Sequence, residues 1–370
     1  MGTYICPCCF SKNDEKEIEY KCRKCGNVFN ERNSSLNRDG KCTSCAATTN
    51  LRRCHRKECH FELPYTFGSY QDETFSVIGL KESGKSHFIG MLVKIFARQI
   101  EDPFDVSLEV VSDDVFAKFK NMYAGNLNRG TVIDETIRAK ENNEIRKPLI
   151  YKLLFRTKGI FGNKKLKVAT MSLFDNAGED LFNESTMRQV NQCVFNSTGI
   201  ILIIDPLQLP PVREELKVRG ISLPKEHANS ANGGTKEILT RVAKLIREQN
   251  KLSQTQQIEI PIAIAFSKSD ALKDIIGEGN SMIFQESNHN GVLNKGEIMS
   301  ISNEIESFIS SWDDTGLITQ IKNNFKNYCF FGFSALGSNP EGVKINALRP
   351  LRVEDPFLWL LYKRKLIKMK

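Results

Sequence analysis

The string GLKESGKS, Gly79 to Ser86, sets a lysine and a serine directly behind a glycine-containing turn. Those residue types in that order suit the binding of phosphate. Gly79 and Gly84 let the chain bend so that the backbone N–H groups of Glu82, Ser83 and Gly84 wrap an anion, and a following helix adds its positive end. Lys85 then reaches the β and γ phosphates of a nucleoside triphosphate, and the Ser86 hydroxyl ligates Mg2+. His87 borders the same site, although a histidine in that position more often packs than reacts.

Three further groups are spaced to serve the same nucleotide. LFDNAGED carries Asp175 and Gly178 as DxxG: the carboxylate holds Mg2+ through water, and the Gly178 N–H contacts a γ-phosphate. FSKSD carries Lys268 and Asp270. A carboxylate at Asp270 accepts the N1 and N2 protons of guanine, a donor pair that adenine lacks, and Lys268 lays its aliphatic stem over the base. FSAL supplies Ser334 and Ala335, whose loop places a backbone N–H near the guanine O6.

A second chemistry occupies the N-terminus. Nine of the 11 cysteines precede residue 60, a density that points to metal and not to disulfides. Cys6 and Cys9, then Cys22 and Cys25 after a 12-residue spacer, read as a four-cysteine zinc ribbon with Cys8 spare. Cys42, Cys45, Cys54 and Cys59 read as a second, less regular site, in which His55 or His60 is an alternative ligand. Two Zn2+ ions would replace a core that so few residues cannot build.

The elements that must position these groups follow from apolar patterning. A strand over Phe75–Gly79 precedes the glycine turn, and a helix from about Lys85 to Arg98 follows it. PLIYKLLFRT and LKVATMSLFD read as an antiparallel hairpin. GIILIID, IPIAIAF and CFFGFSA read as buried parallel strands, with TKEILTRVAKLIREQ an amphipathic helix between two of them. The sum is an α/β fold, a mostly parallel sheet with helices on both faces. The expected modules are 1–30, 38–63 (with rubredoxin-like knuckles) and 68–370, the last with insertions near 121–147, 206–234 and 273–300.

Composition agrees with an ordinary soluble chain: 370 residues, 40% apolar and 26% charged. No run approaches the roughly 18 apolar residues of a membrane span, and the first residues lack signal-peptide character, so a cytoplasmic location is expected. The formal charge of +8 falls to about +4 if each four-thiolate zinc site carries −2, which weakens a case for nucleic acid. Arg52, Arg53, Arg56 and Lys57, with Tyr65 and Phe67 nearby, therefore read first as a solvated or protein-docking face. The basic, apolar C-terminus reads as a packed final helix.

The ordered set GxxxxGKS, DxxG, SKxD and SA, with a hairpin before DxxG, resembles the TRAFAC class of P-loop GTPases, the translation-factor and Ras-like group, over roughly 72–360. The long insertions, the DNAGE box and VEDPFLWLL are similar to the bacterial double-GTPase (DO-GTPase) families linked to conflict and defence systems. The resemblance implies a GTP/GDP switch, with a threonine before PLIYKL, Thr136 in preference to Thr131, closing on Mg2+ beside Ser86 and Asp175. Two departures stand out. Glu179 replaces the glutamine that orients the attacking water, which implies slow or partner-dependent hydrolysis. Ser267 replaces the usual asparagine or threonine. Lys85, Thr136, Gly178 and Glu179 form the implied catalytic set, with protein partners meeting the ribbons and switch loops. A scaffold that binds nucleotide without turnover, and a nucleic-acid-stimulated NTPase, are the alternatives.

Overall fold

The computed structural model describes residues 3–30, 40–49, 51–63, 71–96, 101–133, 148–158, 164–175, 192–194, 196–221, 234–277, 279, 281–312 and 316–370. Thr136, Gly178, Glu179, Tyr65 and Phe67 lie outside these residues.

The largest sheet is built from β7 (Gln71–Gly79), β8 (Val106–Val110), β9 (Leu149–Lys158), β10 (Lys164–Asp175), β11 (Gly199–Ile204), β12 (Ile262–Phe266) and β13 (Tyr328–Gly332). Its order is β13-β12-β11-β7-β10-β9-β8. Neighbours from β13 to β10 run parallel, and β9 is antiparallel to both β10 and β8. The hairpin β9–β10 is the one read from the sequence. β8 is an addition: with Ser107 and Glu109 between its apolar residues, it sits half covered at the sheet edge, and so short and mixed a run carries little strand signal.

Alternation along the central strands sorts side chains onto two faces. Ile201 and Ile203 of β11 join Ala263 and Ala265 of β12 in the core under the helices Lys85–Ile95 and Asp355–Lys363. Ile200, Leu202 and Ile204 face the other way with Ile262, Ile264 and Phe266, against the helix Thr235–Asn250 through Ile238, Leu239 and Val242. Helices thus cover both faces, as a sheet of fully buried strands requires. The final helix packs Phe357 edge-on against Phe75 (5.2 Å between centroids) and buries Leu360 and Leu361. No described helix is long and apolar enough to cross a membrane.

Ahead of this domain lie two small sheets. β1 (Thr3–Ile5) pairs antiparallel with β2 (Lys12–Asp14). β3 (Glu19–Lys21), β4 (Val28–Phe29), β5 (Leu51–Arg53) and β6 (Glu62–Leu63) form a four-stranded sheet in the order β4-β3-β5-β6. Pairing of β3 with β5, Tyr20 opposite Arg52, joins stretches that the sequence reading assigned to separate ribbons.

Candidate nucleotide site and cysteine clusters

β7 ends at Gly79, where nothing larger than glycine fits: a Cβ there would meet the Ile203 carbonyl oxygen at 2.4 Å and the Ser83 hydroxyl at 2.7 Å. The loop then takes two left-handed residues, Glu82 (φ 61°) and Gly84 (φ 88°), and enters the helix at Lys85. No side chain caps that helix and its first turn holds no acidic residue, so its positive end is left for an anion. The buried Lys85 ammonium donates to the carbonyls of Gly79 (3.2 Å) and Leu80 (2.6 Å), which hold it at the mouth of the loop. The Ser83 hydroxyl is buried without a hydrogen-bond partner among the described residues, an orphan that a bound phosphate would satisfy.

The parallel strands deliver the other groups to the same sheet edge, outside their carboxyl ends, where ligands of open α/β sheets bind. β10 terminates at Asp175, whose backbone is in register with Val77 of β7. Behind β12, Lys268 adopts a left-handed backbone (φ 51°) and Asp270 is partly exposed, its carboxylate without a hydrogen bond among the described residues. Behind β13, Ser334 exchanges backbone hydrogen bonds with Leu351, and its hydroxyl accepts the Gly337 N–H at 2.8 Å. Ser267 donates its hydroxyl to the Ile204 carbonyl (3.3 Å), tying β12 to β11, while its side chain lies beside Gly84 of the glycine loop, its Cβ 3.8 Å from where a Cβ on that glycine would stand.

Three residues enter the site that sequence reasoning left without these roles. Asp205 caps the turn after β11 by accepting the Leu207 N–H (2.9 Å), and its other oxygen takes the Lys268 ammonium at 2.7 Å. Gln208 donates its amide to the Lys81 carbonyl (2.9 Å), bracing the phosphate loop from the insertion after β11. The His87 Nε2 accepts the Ile133 N–H (2.9 Å), so the ring is neutral and protonated on Nδ1; burial, with the Lys268 charge second, pulls it down to about 4. His87 therefore positions the chain ahead of residues 134–147.

The cysteines gather into two clusters, but the ligand sets differ from the spacing-based sets. Cys6 and Cys9 meet Cys54 and Cys59, while Cys22 and Cys25 meet Cys42 and Cys45, each set with its sulfurs within 4.8 Å of one another. The reason is topological. Antiparallel pairing of β3 with β5 carries the first knuckle to the fourth and the second to the third, and spacing alone cannot distinguish this nesting from two ribbons in series. His60 faces the Cys54 carbonyl (3.3 Å) and His55 faces Glu17 (3.8 Å), so neither histidine displaces a thiol.

Geometry fits a tetrahedral metal. Bonds of about 2.3 Å give tetrahedron edges of about 3.8 Å; Cys6–Cys59 and Cys9–Cys54 are 3.8 Å, and Cys22–Cys45 and Cys25–Cys42 are 3.5 Å. The residue after each knuckle's second cysteine, namely Phe10, Gly26, Ala46 and His60, has a left-handed backbone. In the first three knuckles that residue's N–H returns to the carbonyl of the knuckle's first cysteine, at 2.8 to 2.9 Å. The basic cluster is engaged locally: Arg53 pairs with Glu19 (2.7 Å) and Arg56 donates to Asn13 (3.3 Å).

No protein-family model matches the chain. Among curated proteins it is similar to the "putative ESX-1 scaffolding and assembly protein SaeC" of Mycolicibacterium smegmatis, 23% identical over 325 residues, covering 82% of this chain and 77% of that protein. Among solved structures it is similar to translation elongation factor SelB of Methanococcus maripaludis with a GTP analogue (12% identity, TM-score 0.31, 81% of this chain and 35% of that one). It is also similar to the small GTPase Arl6 of Trypanosoma brucei with a nucleotide analogue (11%, TM-score 0.28, 80% and 98%). A third is a bacterial selenocysteine-specific elongation factor (13%, TM-score 0.28, 81% and 29%). The chain thus spans about a third of the length of the two elongation factors. Its own sheet order, glycine loop and paired cysteine clusters make it a mostly parallel α/β protein with two compact N-terminal metal-site candidates.

Proposed function

We propose that the chain is a GTP-binding switch protein with slow or partner-dependent hydrolysis, and that its zinc-binding N-terminus docks partner proteins. The observation that carries this reading is convergence: the phosphate loop, the end of β10, the Lys268–Asp270 loop and the Ser334 loop meet at one edge of the sheet. Lys85 and the loop amides bind the phosphates, Ser86 and Asp175 hold Mg2+, which neutralises phosphate charge, and Asp270 reads the guanine edge. Thr136 and Gly178 meet the γ-phosphate. Glu179, a carboxylate that donates no hydrogen bond when ionised, orients water poorly, which supports slow turnover.

Titration with labelled GTP and ATP tests the reading: GTP preferred at least about tenfold, with the preference lost in Asp270→Ala, is the expected result. Equal affinity for both nucleotides would sink the guanine assignment. Binding without turnover is the second reading, favoured by Glu179; hydrolysis that Lys85→Ala abolishes would reject it. Nucleic-acid stimulation is disfavoured by the engagement of Arg53 and Arg56 with Glu19 and Asn13. The name of the mycobacterial relative, a putative scaffolding and assembly protein, supports protein partners. A role in bacterial conflict or defence rests on the sequence resemblance alone.

A further inference from the structure

Phe10 follows the Cys6–Cys9 knuckle directly, held by its N–H bond to the Cys6 carbonyl (2.8 Å) and by a left-handed backbone (φ 55°). Its ring leaves the module. With Phe174 and Cys193 it forms a separate buried cluster, the two aromatic centroids 5.3 Å apart and the planes at 44°.

Those two partners bracket one stretch of chain. Phe174 stands immediately before Asp175 in β10, and Cys193 follows residues 176–191, which include Gly178 and Glu179. Past Cys193 the connection continues to the phosphate loop's own strand. Ser197 donates its hydroxyl to the Cys193 carbonyl (2.7 Å) and accepts the Ser76 hydroxyl of β7 (2.7 Å), three residues ahead of Gly79.

We propose that Phe10 is a positioning residue of the nucleotide site, through which the Cys6, Cys9, Cys54 and Cys59 cluster sets the entry and exit of the chain that meets the γ-phosphate. This rests on the GTP-binding reading above. A left-handed backbone is unfavourable for phenylalanine and persists only where its surroundings impose it. Four thiolates closed on a metal impose it here, and a knuckle without metal relaxes and withdraws the ring from Phe174 and Cys193. The coupling is reciprocal: a protein that grips the knuckle shifts the preference between GTP and GDP, and nucleotide shifts its affinity for that protein by the same factor.

Phe10→Gly is the decisive variant, because glycine takes the left-handed backbone freely and the knuckle closes without the ring. The expected protein holds two zinc ions per chain and binds GDP as wild type does, while its GTP affinity falls by about fivefold or more. Phe10→Leu, which refills the apolar space, recovers most of that loss. Hydrogen exchange without nucleotide gives an independent readout: amides at 172–174 and 193–197 exchange faster in Phe10→Gly and in metal-stripped wild type. A zinc-loaded Phe10→Gly with an unchanged GTP-to-GDP ratio overturns the proposal. Should the glycine loosen the knuckle and lose zinc, Phe10→Asn, also tolerant of this backbone, takes its place. If wild type binds no GTP, the functional reading fails, and unchanged exchange in the zinc-loaded variant then overturns the role of Phe10.

Discussion

Asp205 and Lys268 form an ion pair of 2.7 Å at the sheet edge, with the carboxylate fully enclosed and the lysine side chain 28% exposed. The pair joins the loop after β11 to the loop after β12 and fixes where the lysine stem lies.

Asp205→Asn keeps an oxygen for the Leu207 N–H but removes the charge facing Lys268. Because the lysine is partly solvated, the expected loss is modest, about 1–2 kcal/mol. Calorimetric titration should register this as a fall of about tenfold in guanine-nucleotide affinity. In the Lys268→Ala background the same change should cost little further, and additive losses would separate the two residues.

His87 makes stability depend on acid. Its folded value, about 4, lies below the ordinary 6.5, so the unfolded chain takes up the proton first. The stabilisation is complete above pH 6.5 and is lost as pH falls towards 4, by about 3 kcal/mol at most. Urea unfolding at about pH 7 and about pH 5 measures it. His87→Gln retains an acceptor for Ile133 without titrating, and should show a shallower slope than wild type across that window.

A buried network behind the Ser334 loop titrates in the opposite sense. Arg352 (φ 52°) donates to Asp355 (2.9 Å), Glu297 (2.6 Å) and the carbonyls of Met282 and Glu286, while His289 meets Asp355 at 3.1 Å. Burial alone would lower His289, but the hydrogen bond and charge of Asp355, with Glu297 and Glu354, raise it. Its contribution is therefore full below pH 6.5 and is lost as pH rises through the raised folded value. Arg352→Met strips the guanidinium from two buried carboxylates, leaving Asp355 to His289 and Ser287 and Glu297 to the Asn288 N–H, and should cost about 3–5 kcal/mol in denaturant unfolding.

The nested cysteine sets give a pairing test. Cys9→Ser and Cys54→Ser should each release one zinc ion, and the double variant should release no second one, because both belong to one cluster. Cys9→Ser with Cys22→Ser should release both. Metal analysis of the purified proteins decides, and the reverse pattern would restore two ribbons in series.

Legibility in the sequence followed local patterning. The strand, glycine turn and helix around Gly79 to Ser86 were readable because that run is contiguous, and β11 and β12 because both their faces are apolar. All eight clustered cysteines were recognisable, since knuckle spacing is local. Which knuckles share a metal was not, because that depends on β3 meeting β5 across about 30 residues of chain. Asp205 stood in plain view at the end of GIILIID, yet its partner is 63 residues away and no local signal links them. Phe10 read as one more aromatic beside a cysteine, and only packing reveals its contact with Phe174.

The nesting of the cysteine pairs also fixes an order of assembly during synthesis. As the chain emerges from the ribosome, Cys22, Cys25, Cys42 and Cys45 are together able to close on an ion once residue 45 is out, whereas Cys6 and Cys9 wait with open thiols for Cys54 and Cys59. The first pair of ligands made is thus in the last site completed. Any truncation between residues 25 and 42 breaks both sites at once, whereas removal of the chain ahead of residue 22 costs the outer set alone.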